Sequence, residues 1–249
     1  MADTGWLDLT TYTVEAKAGS DIGFSNPTNA ATENGSYASA INNLPSNDNT
    51  DWLRGVNLGT HGIPAGSIID GIEVRIKRYK RNEYQTPECQ DNSLRLVLAG
   101  SVYGDDKAVA TVWPDSNGWS TTYGGAADDW STGFDYDDID SATFGVQICC
   151  IQGDAGVGEF YIDVIQVKIY HHPGATTDQE GFRWRNDDGT EITATWIEAQ
   201  DTDAEIAKET NTRIRFLIDA EGNPAGSTFE LQYKRSADAA AEWRKVQVE

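Results

Sequence analysis

From residue 66 onward the chain alternates apolar and polar side chains with a period of two. In SIIDGIEVRIKRY, Ile72, Val74 and Ile76 are separated by Glu73, Arg75 and Lys77, the pattern of a strand with one buried and one wet face. SLRLVLAG repeats the pattern with Leu94, Leu96 and Leu98. FGVQICCIQG and FYIDVIQVKIYHH predict two more strands, the second long enough to be a principal strand of its sheet. Residues 1–60 differ: Asn, Ser, Thr and Gly interrupt short apolar pieces such as TYTVEA and WLRGVNLG, which predicts short strands joined by long surface loops. No amphipathic helical stretch of comparable strength precedes residue 172. The expected fold is all-β, beginning with a jelly-roll-like antiparallel β-sandwich over residues 1–172.

HHPGATTDQEG, residues 171–181, places Pro and Gly between two periodic regions, and a linker is expected at 173–180. Beyond it FRWRNDDG, ITATWIEA, TRIRFLIDA, FELQYKR and EWRKVQV are five strand-like segments. Their spacing predicts a small immunoglobulin-like β-sandwich over 181–249. Its inward sets would be Phe182 and Trp184, then Ile214, Phe216 and Ile218, then Phe229, Leu231 and Tyr233. The NDDG turn at 186–189 has hairpin chemistry, because Asp and Gly tolerate positive φ. A chain of 249 residues is long enough for each of two domains to bury a core.

Charge narrows the function classes. With 40 acidic against 19 basic side chains the formal net charge is −21, so most of the surface would repel a phosphate backbone, and neither nucleic acid nor an anionic membrane is an expected partner. No window approaches the ~20 apolar residues that span a bilayer. The stretch MADTGWLDLTTYTVE has neither a basic n-region nor an apolar core, so synthesis in a cytoplasm without a signal peptide is expected. Cys89, Cys149 and Cys150 lack a CxxC spacing or a histidine at ligand spacing. They read as buried reduced thiols, or as a Cys89 disulfide to one of the vicinal pair.

The richest candidate chemistry lies in residues 119–146, WSTTYGGAADDWSTGFDYDDIDSATFGV. Asp128, Asp129, Asp135, Asp137, Asp138 and Asp140 are hard oxygen ligands of the type calcium takes, although the EF-hand pattern is absent; Asp135, Asp137, Asp138 and Asp140 are the candidate calcium ligands, against the reading of a solvated acidic loop. Trp113, Trp119, Tyr123, Trp130 and Tyr136 could stack on pyranose faces, with Trp119, Tyr123, Trp130 and Tyr136 the candidate glycan contacts, against the reading of rings that plug the core. Carboxylate pairs could serve glycoside hydrolysis, but so many acids produce pairs by chance. GxSxG, HExxH and GxxxxGK[ST] do not occur, and His61, His171 and His172 sit in no catalytic motif, so a non-enzymatic protein is expected. One local exception to the acidic charge is RIKRYKR, residues 75–81. It sets Arg75, Lys77, Tyr79 and Arg81 on one strand face, with Arg78 and Lys80 opposite or at its end. That ridge is either a solvated edge that discourages sheet-to-sheet aggregation or a surface that docks on an acidic patch of a partner.

The order of these pieces resembles a known architecture. NPTNAATENGSYASA, LGTHGIPAGSIIDGIEVRIKR, DNSLRLVLAGS, TTYGGAADDWST with DIDSATFGVQI, and YIDVIQVKIYH together resemble a β-sandwich module of tailed-bacteriophage structural proteins and some bacterial surface proteins, over residues 25–172. EGFRWRNDDGTEITATWIEAQDT through TRIRFLIDAEG to EWRKV is similar to an immunoglobulin-like module of the same kinds of protein. The resemblance carries no catalytic residues. It implies a virion component exposed on the particle, a head decoration or cement protein, with the major capsid protein or other virion proteins as partners and self-association, a trimer being the candidate state. A carbohydrate-binding adhesin of a tail appendage or bacterial surface, contacting host glycans, is the other reading. It also implies that the YGG and DW region is a connection into the FGV strand, with Trp130 tucked against the sandwich.

Overall fold

The computed structural model describes residues 1–42, 49–82, 89–153, 158–190, 192–221, 232–233 and 244–245. The chain divides into two compact units, Met1–Pro173 and Gly174–Glu249. In the first unit the strands are β1 (Ala2–Asp3), β2 (Leu7–Asp8), β3 (Thr11–Glu15), β4 (Ser20–Ile22), β5 (Ala38–Asn42), β6 (Asn49–Thr50), β7 (Trp52–Val56), β8 (Ile68–Asn82), β9 (Cys89–Leu98), β10 (Ser101–Tyr103), β11 (Gly118–Trp119), β12 (Tyr123–Gly124), β13 (Gly145–Gln152) and β14 (Gly158–His172). Among the described residues a 3-10 turn at Pro27–Ala30 and a short helix, α1 (Tyr136–Asp140), interrupt them.

These strands form two antiparallel sheets packed face to face. The first places β5 beside β14, β14 beside β8, and β8 beside β11 and β12; the second places β7 beside β13, β13 beside β9, and β9 beside β10. If β5, β7, β8, β9, β10, β11 with β12, β13 and β14 are counted as strands one to eight, the sheets run 1-8-3-6 and 2-7-4-5. Those are the two interlocked Greek keys of a jelly roll. The short N-terminal strands widen it: β1 and β2 run along the edge of β14, and β3 pairs with β7. β4 and β6 pair in parallel.

Burial follows the period-two pattern. Ile72, Val74 and Ile76 of β8, Leu94 and Leu96 of β9, Val146 and Ile148 of β13 and Phe160, Ile162, Ile165, Val167 and Ile169 of β14 are sequestered in one core. Each such side chain contributes about 1.5–3 kcal/mol by leaving water. The inward phase of β14 changes from even to odd numbers because Asp163 is an extra residue between Ile162, opposite Arg78, and Val164, opposite Lys77, a β-bulge.

Residues 119–146 are a connection with internal structure. Tyr123 and Gly124 form β12 against Val74 and Glu73. Gly124 sits at φ +77, and a Cβ there would lie 2.2 Å from the Ile72 carbonyl oxygen, so only glycine lets the chain approach β8 this closely. Trp130 then enters the core and donates through Nε1 to that same Ile72 oxygen at 2.9 Å. α1 is started locally: Asp135 accepts from Asp138 N and the Asp138 carboxylate accepts from Asp135 N, a capping box.

In the second unit β15 (Thr176–Asn186) pairs antiparallel with β16 (Thr212–Glu221), aligning Phe182 with Phe216 and Trp184 with Ile214. Residues 176–180, expected as linker, are therefore the first part of β15. Two short strands, β17 (Gln232–Tyr233) and β18 (Arg244–Lys245), also pair. ITATWIEA, expected as a strand, forms turns with a single bridge from Trp196 to Arg185; Asp188 accepts from Thr195 N and Oγ1 and folds the segment back on itself. Phe229 and Leu231 lie outside the described residues.

Candidate functional site

From Ile72 to Arg81 β8 alternates between buried and less buried positions, so its outward side chains form a row. Each faces a matching side chain of β14: Arg81 opposite Glu159, Tyr79 opposite Tyr161, Arg75 opposite Gln166, and Glu73 opposite Lys168. Cross-strand neighbours of this kind fix one another's rotamers. Arg75 donates through Nε and Nη2 to Gln166 Oε1 at 2.8 and 2.6 Å, and Gln166 Nε2 donates to Asp8 of β2 at 2.8 Å. The guanidinium is thereby held flat, with the Trp6 ring 4.2 Å away and the Trp119 ring 3.9 Å away. It is a double cation–π contact. Burial between the rings lowers the pKa of Arg75, against the pull of Glu33, Glu73 and Asp8.

Lys77, next along the row, donates to Glu33 and lies 3.8 Å from Asp163; the Glu33 contact raises its pKa. Beyond it Tyr37, Tyr79 and Tyr161 form a cluster, Tyr79 stacked on Tyr161 with centroids 4.7 Å apart and Tyr37 edge-on to both. The Tyr161 hydroxyl donates to Glu159 at 2.6 Å, and burial together with that acceptor pushes its pKa up to about 12. At the other end Lys168 lies over Trp6 and the Tyr170 hydroxyl donates to Glu73.

The bulged Asp163 organises the margins of this face. Its Oδ1 accepts from Asn34 N and Gly35 N, and its Oδ2 from Asn117 Nδ2 at 2.8 Å. It thus pins the loop that carries Glu33 and the segment that leads into Trp119. Ser120 completes the placement by exchanging hydrogen bonds with the Ile76 backbone.

The inward side of the same end of β8 is different. Arg78 and Lys80 point into the sandwich and are buried. Arg78 pairs with Asp91, whose carboxylate also accepts from Trp113 Nε1 at 2.8 Å and from the Tyr123 hydroxyl at 2.7 Å; Lys80 donates to Asp115. Cys89, Cys149 and Cys150 are buried free thiols, and desolvation raises all three pKa values, Cys89 to about 12 and Cys149 to about 11. No thiolate is available for chemistry near neutral pH.

A shallow groove of about 480 Å³ opens between residues 66–69 and 129–137, lined by Ile68, Asp129, Phe134, Asp135, Tyr136 and Asp137 among others. His61 stands beside it: its Nδ1 accepts from Ile63 N, so Nε2 carries the proton given to Asp140 at 2.9 Å.

The predicted site residues therefore separate. Arg75, Lys77, Tyr79 and Arg81 do share one outward face, but Arg75 and Lys77 are already engaged by Gln166, Trp6, Trp119 and Glu33, and Tyr79 by Tyr161; they act as spacers between rings rather than as a free positive ridge. Of the four proposed glycan contacts, Tyr123 and Trp130 are 2% and 0% exposed and are core plugs that cannot stack on a sugar. Trp119, 37% exposed, joins the β8 row, and Tyr136 lies in the groove. Of the four aspartates offered to calcium, Asp135 and Asp138 cap α1, Asp140 meets His61 and Asp137 faces the groove. Among the described residues no three His, Cys, Asp or Glu side chains are grouped to share a metal ion.

Trp6, Tyr37, Tyr161, Gln166 and Lys168 were not singled out from the sequence. Tyr161, Gln166 and Lys168 carry a signal, as polar or amphipathic positions in an otherwise apolar strand. Trp6 and Tyr37 carry none, because long-range contacts alone bring them to this face. Comparison with protein-family models, curated proteins and solved structures yields no match for this chain.

Proposed function

We propose that this protein is a non-enzymatic structural component of a tailed-phage particle, a head decoration or cement protein displayed at its surface. The observation that supports this reading most is where the resembling motifs fall. IPAGSIIDGIEVRI forms β8 and its entry, YGGAADDW forms β12 and the Trp130 plug, and FGV opens β13. The two most specific motifs meet at one hydrogen bond, from Trp130 Nε1 to the Ile72 oxygen. The likeness to phage modules thus resides in the skeleton of the jelly roll, where it speaks for shared architecture.

In this reading the outward face of β8, with Arg75, Lys77, Tyr79 and Arg81, supplies a flat and rotamerically fixed surface toward the major capsid protein or another virion protein. Self-association, as a trimer, would multiply the contacts. Many modest contacts to a repeating lattice add through effective concentration, so an array holds where one protomer would exchange.

Quantitative mass spectrometry of purified particles tests the proposal by counting copies of this chain. On the order of hundreds per particle is the expected result, as a lattice-wide array requires. A handful would move the protein to a tail appendage, and its absence from particles would overturn the virion reading.

A further inference from the structure

We propose that the outward face of the first sheet is a glycan-binding platform, with Trp119 as the stacking ring and the Arg75–Gln166 pair beside it supplying polar contacts. It is carried by side-chain geometry and stands independently of whether the chain is found on particles.

Three features point to a pyranose chain. First, the aromatic rings occur at two separated stations on one sheet face, Trp6 and Trp119 around Arg75 and the Tyr37, Tyr79 and Tyr161 cluster beyond Lys77. Rings offer flat apolar patches to the C–H faces of sugars, and a row of them follows a chain of such units. Second, planar hydrogen-bonding groups lie between and beside the rings. Arg75, Gln166 and Asp8 form a connected chain of donors and acceptors at 2.6–2.8 Å, which fixes their orientation before a ligand arrives and reduces the ordering cost of binding.

Third, the electrostatics of the face differ from those of the molecule. Residues 1–172 carry 24 acidic and 10 basic side chains, yet Arg75, Lys77, Arg81 and Lys168 all belong to this face, opposite Asp8, Glu33, Glu73 and Glu159. With Asp163 beside Lys77 the face holds four basic and five acidic side chains, close to balance on a chain of net charge −21, so the occupant that fits is a neutral polysaccharide, recognised by stacking and hydrogen bonding rather than by charge.

Titration of the full chain with soluble cello-, manno- and chito-oligosaccharides, followed by tryptophan fluorescence and calorimetry, tests the assignment. At least one series should bind. Trp119→Ala should weaken it about tenfold, the worth of one stacking contact of roughly 1.4 kcal/mol. Trp119→Phe should retain part of the affinity, and Tyr136→Ala, in the separate groove, should leave it unchanged. Unaltered circular dichroism and melting temperature show that a variant is folded. Failure of all three series to bind at millimolar concentration would overturn the proposal. So would binding that survives Trp119→Ala, or binding that is abolished by Tyr136→Ala.

Discussion

Arg75 and Arg78 stand three residues apart on β8 and meet opposite environments. Arg75 lies on the outward face between two indoles, its guanidinium satisfied by a neutral amide. Arg78 lies inside the sandwich, 4.5 Å from the Trp113 ring centroid, paired with a carboxylate that Trp113 and Tyr123 also hold. Both arginines contact aromatic rings, but only on the outer face is one of those rings, Trp119, exposed. The inner cluster replaces apolar packing at one end of the core, and its charges have no water to fall back on. The difference teaches that a cation near a tryptophan is a surface device or a structural one according to which way a strand turns it, and that a one-letter sequence distinguishes them only through phase.

The largest effect should come from removing the inner counter-ion. Asp91→Ala leaves Arg78 buried without its partner, and denaturant unfolding should show a loss of about 3–5 kcal/mol. Replacing both members, Arg78→Met with Asp91→Leu, should recover only the part due to the unpaired charge, because the buried Trp113 and Tyr123 donors that Asp91 accepts would still lack a partner. A loss below about 1 kcal/mol in the single variant would mean that water reaches Arg78 and would erase the contrast. A much smaller effect is expected outside: Arg75→Ala should change stability by no more than about 1 kcal/mol, the scale of an exposed cation–π contact.

The smallest effect at neutral pH concerns the tyrosines, and it sharpens the comparison spectroscopically. Tyr161, on the outer face, has its pKa pushed up to about 12, while burial drives those of Tyr12 and Tyr123 higher still. A hydroxyl whose pKa is raised by folding stabilises the native state fully below its unfolded value near 10, and that contribution is lost as pH climbs through the folded value. Absorbance titration should therefore show the outer hydroxyl ionising at about 12 in folded protein, with Tyr12 and Tyr123 ionising only on unfolding. Ionisation of all the tyrosines together near their ordinary value would contradict the buried cluster.

Much of this fold is legible from alternation. Ile72, Val74 and Ile76 announce β8, the Leu94 to Leu98 run announces β9, and the length of FYIDVIQVKIYHH announces the central strand β14. Alternation also places Arg78 and Lys80 on the inner face, but their charge argues against burial, and only the partners Asp91 and Asp115, distant in sequence, resolve the conflict. The aromatic residues of 113–130 were ambiguous for a related reason. A ring suits a core as well as a sugar, and the choice for Trp130 is made by a glycine that lets the chain close on β8. The sheet-face site was half legible: its β8 members follow from phase, whereas Trp6 and Tyr37 reach it through pairings between segments far apart in the chain.

The extra residue at Asp163 has a consequence for how such a chain can change over generations. Deleting that one position would join Ile162 directly to Val164, opposite the adjacent residues Arg78 and Lys77, so the ladder would close into regular alternation with Ile165, Val167 and Ile169 still toward the core. It would also release the two segments that Asp163 tethers. A lineage could therefore gain or lose this residue without rebuilding either face of the sheet, and what it would have to replace is the carboxylate that holds the loop before Tyr37 and the segment before Trp119.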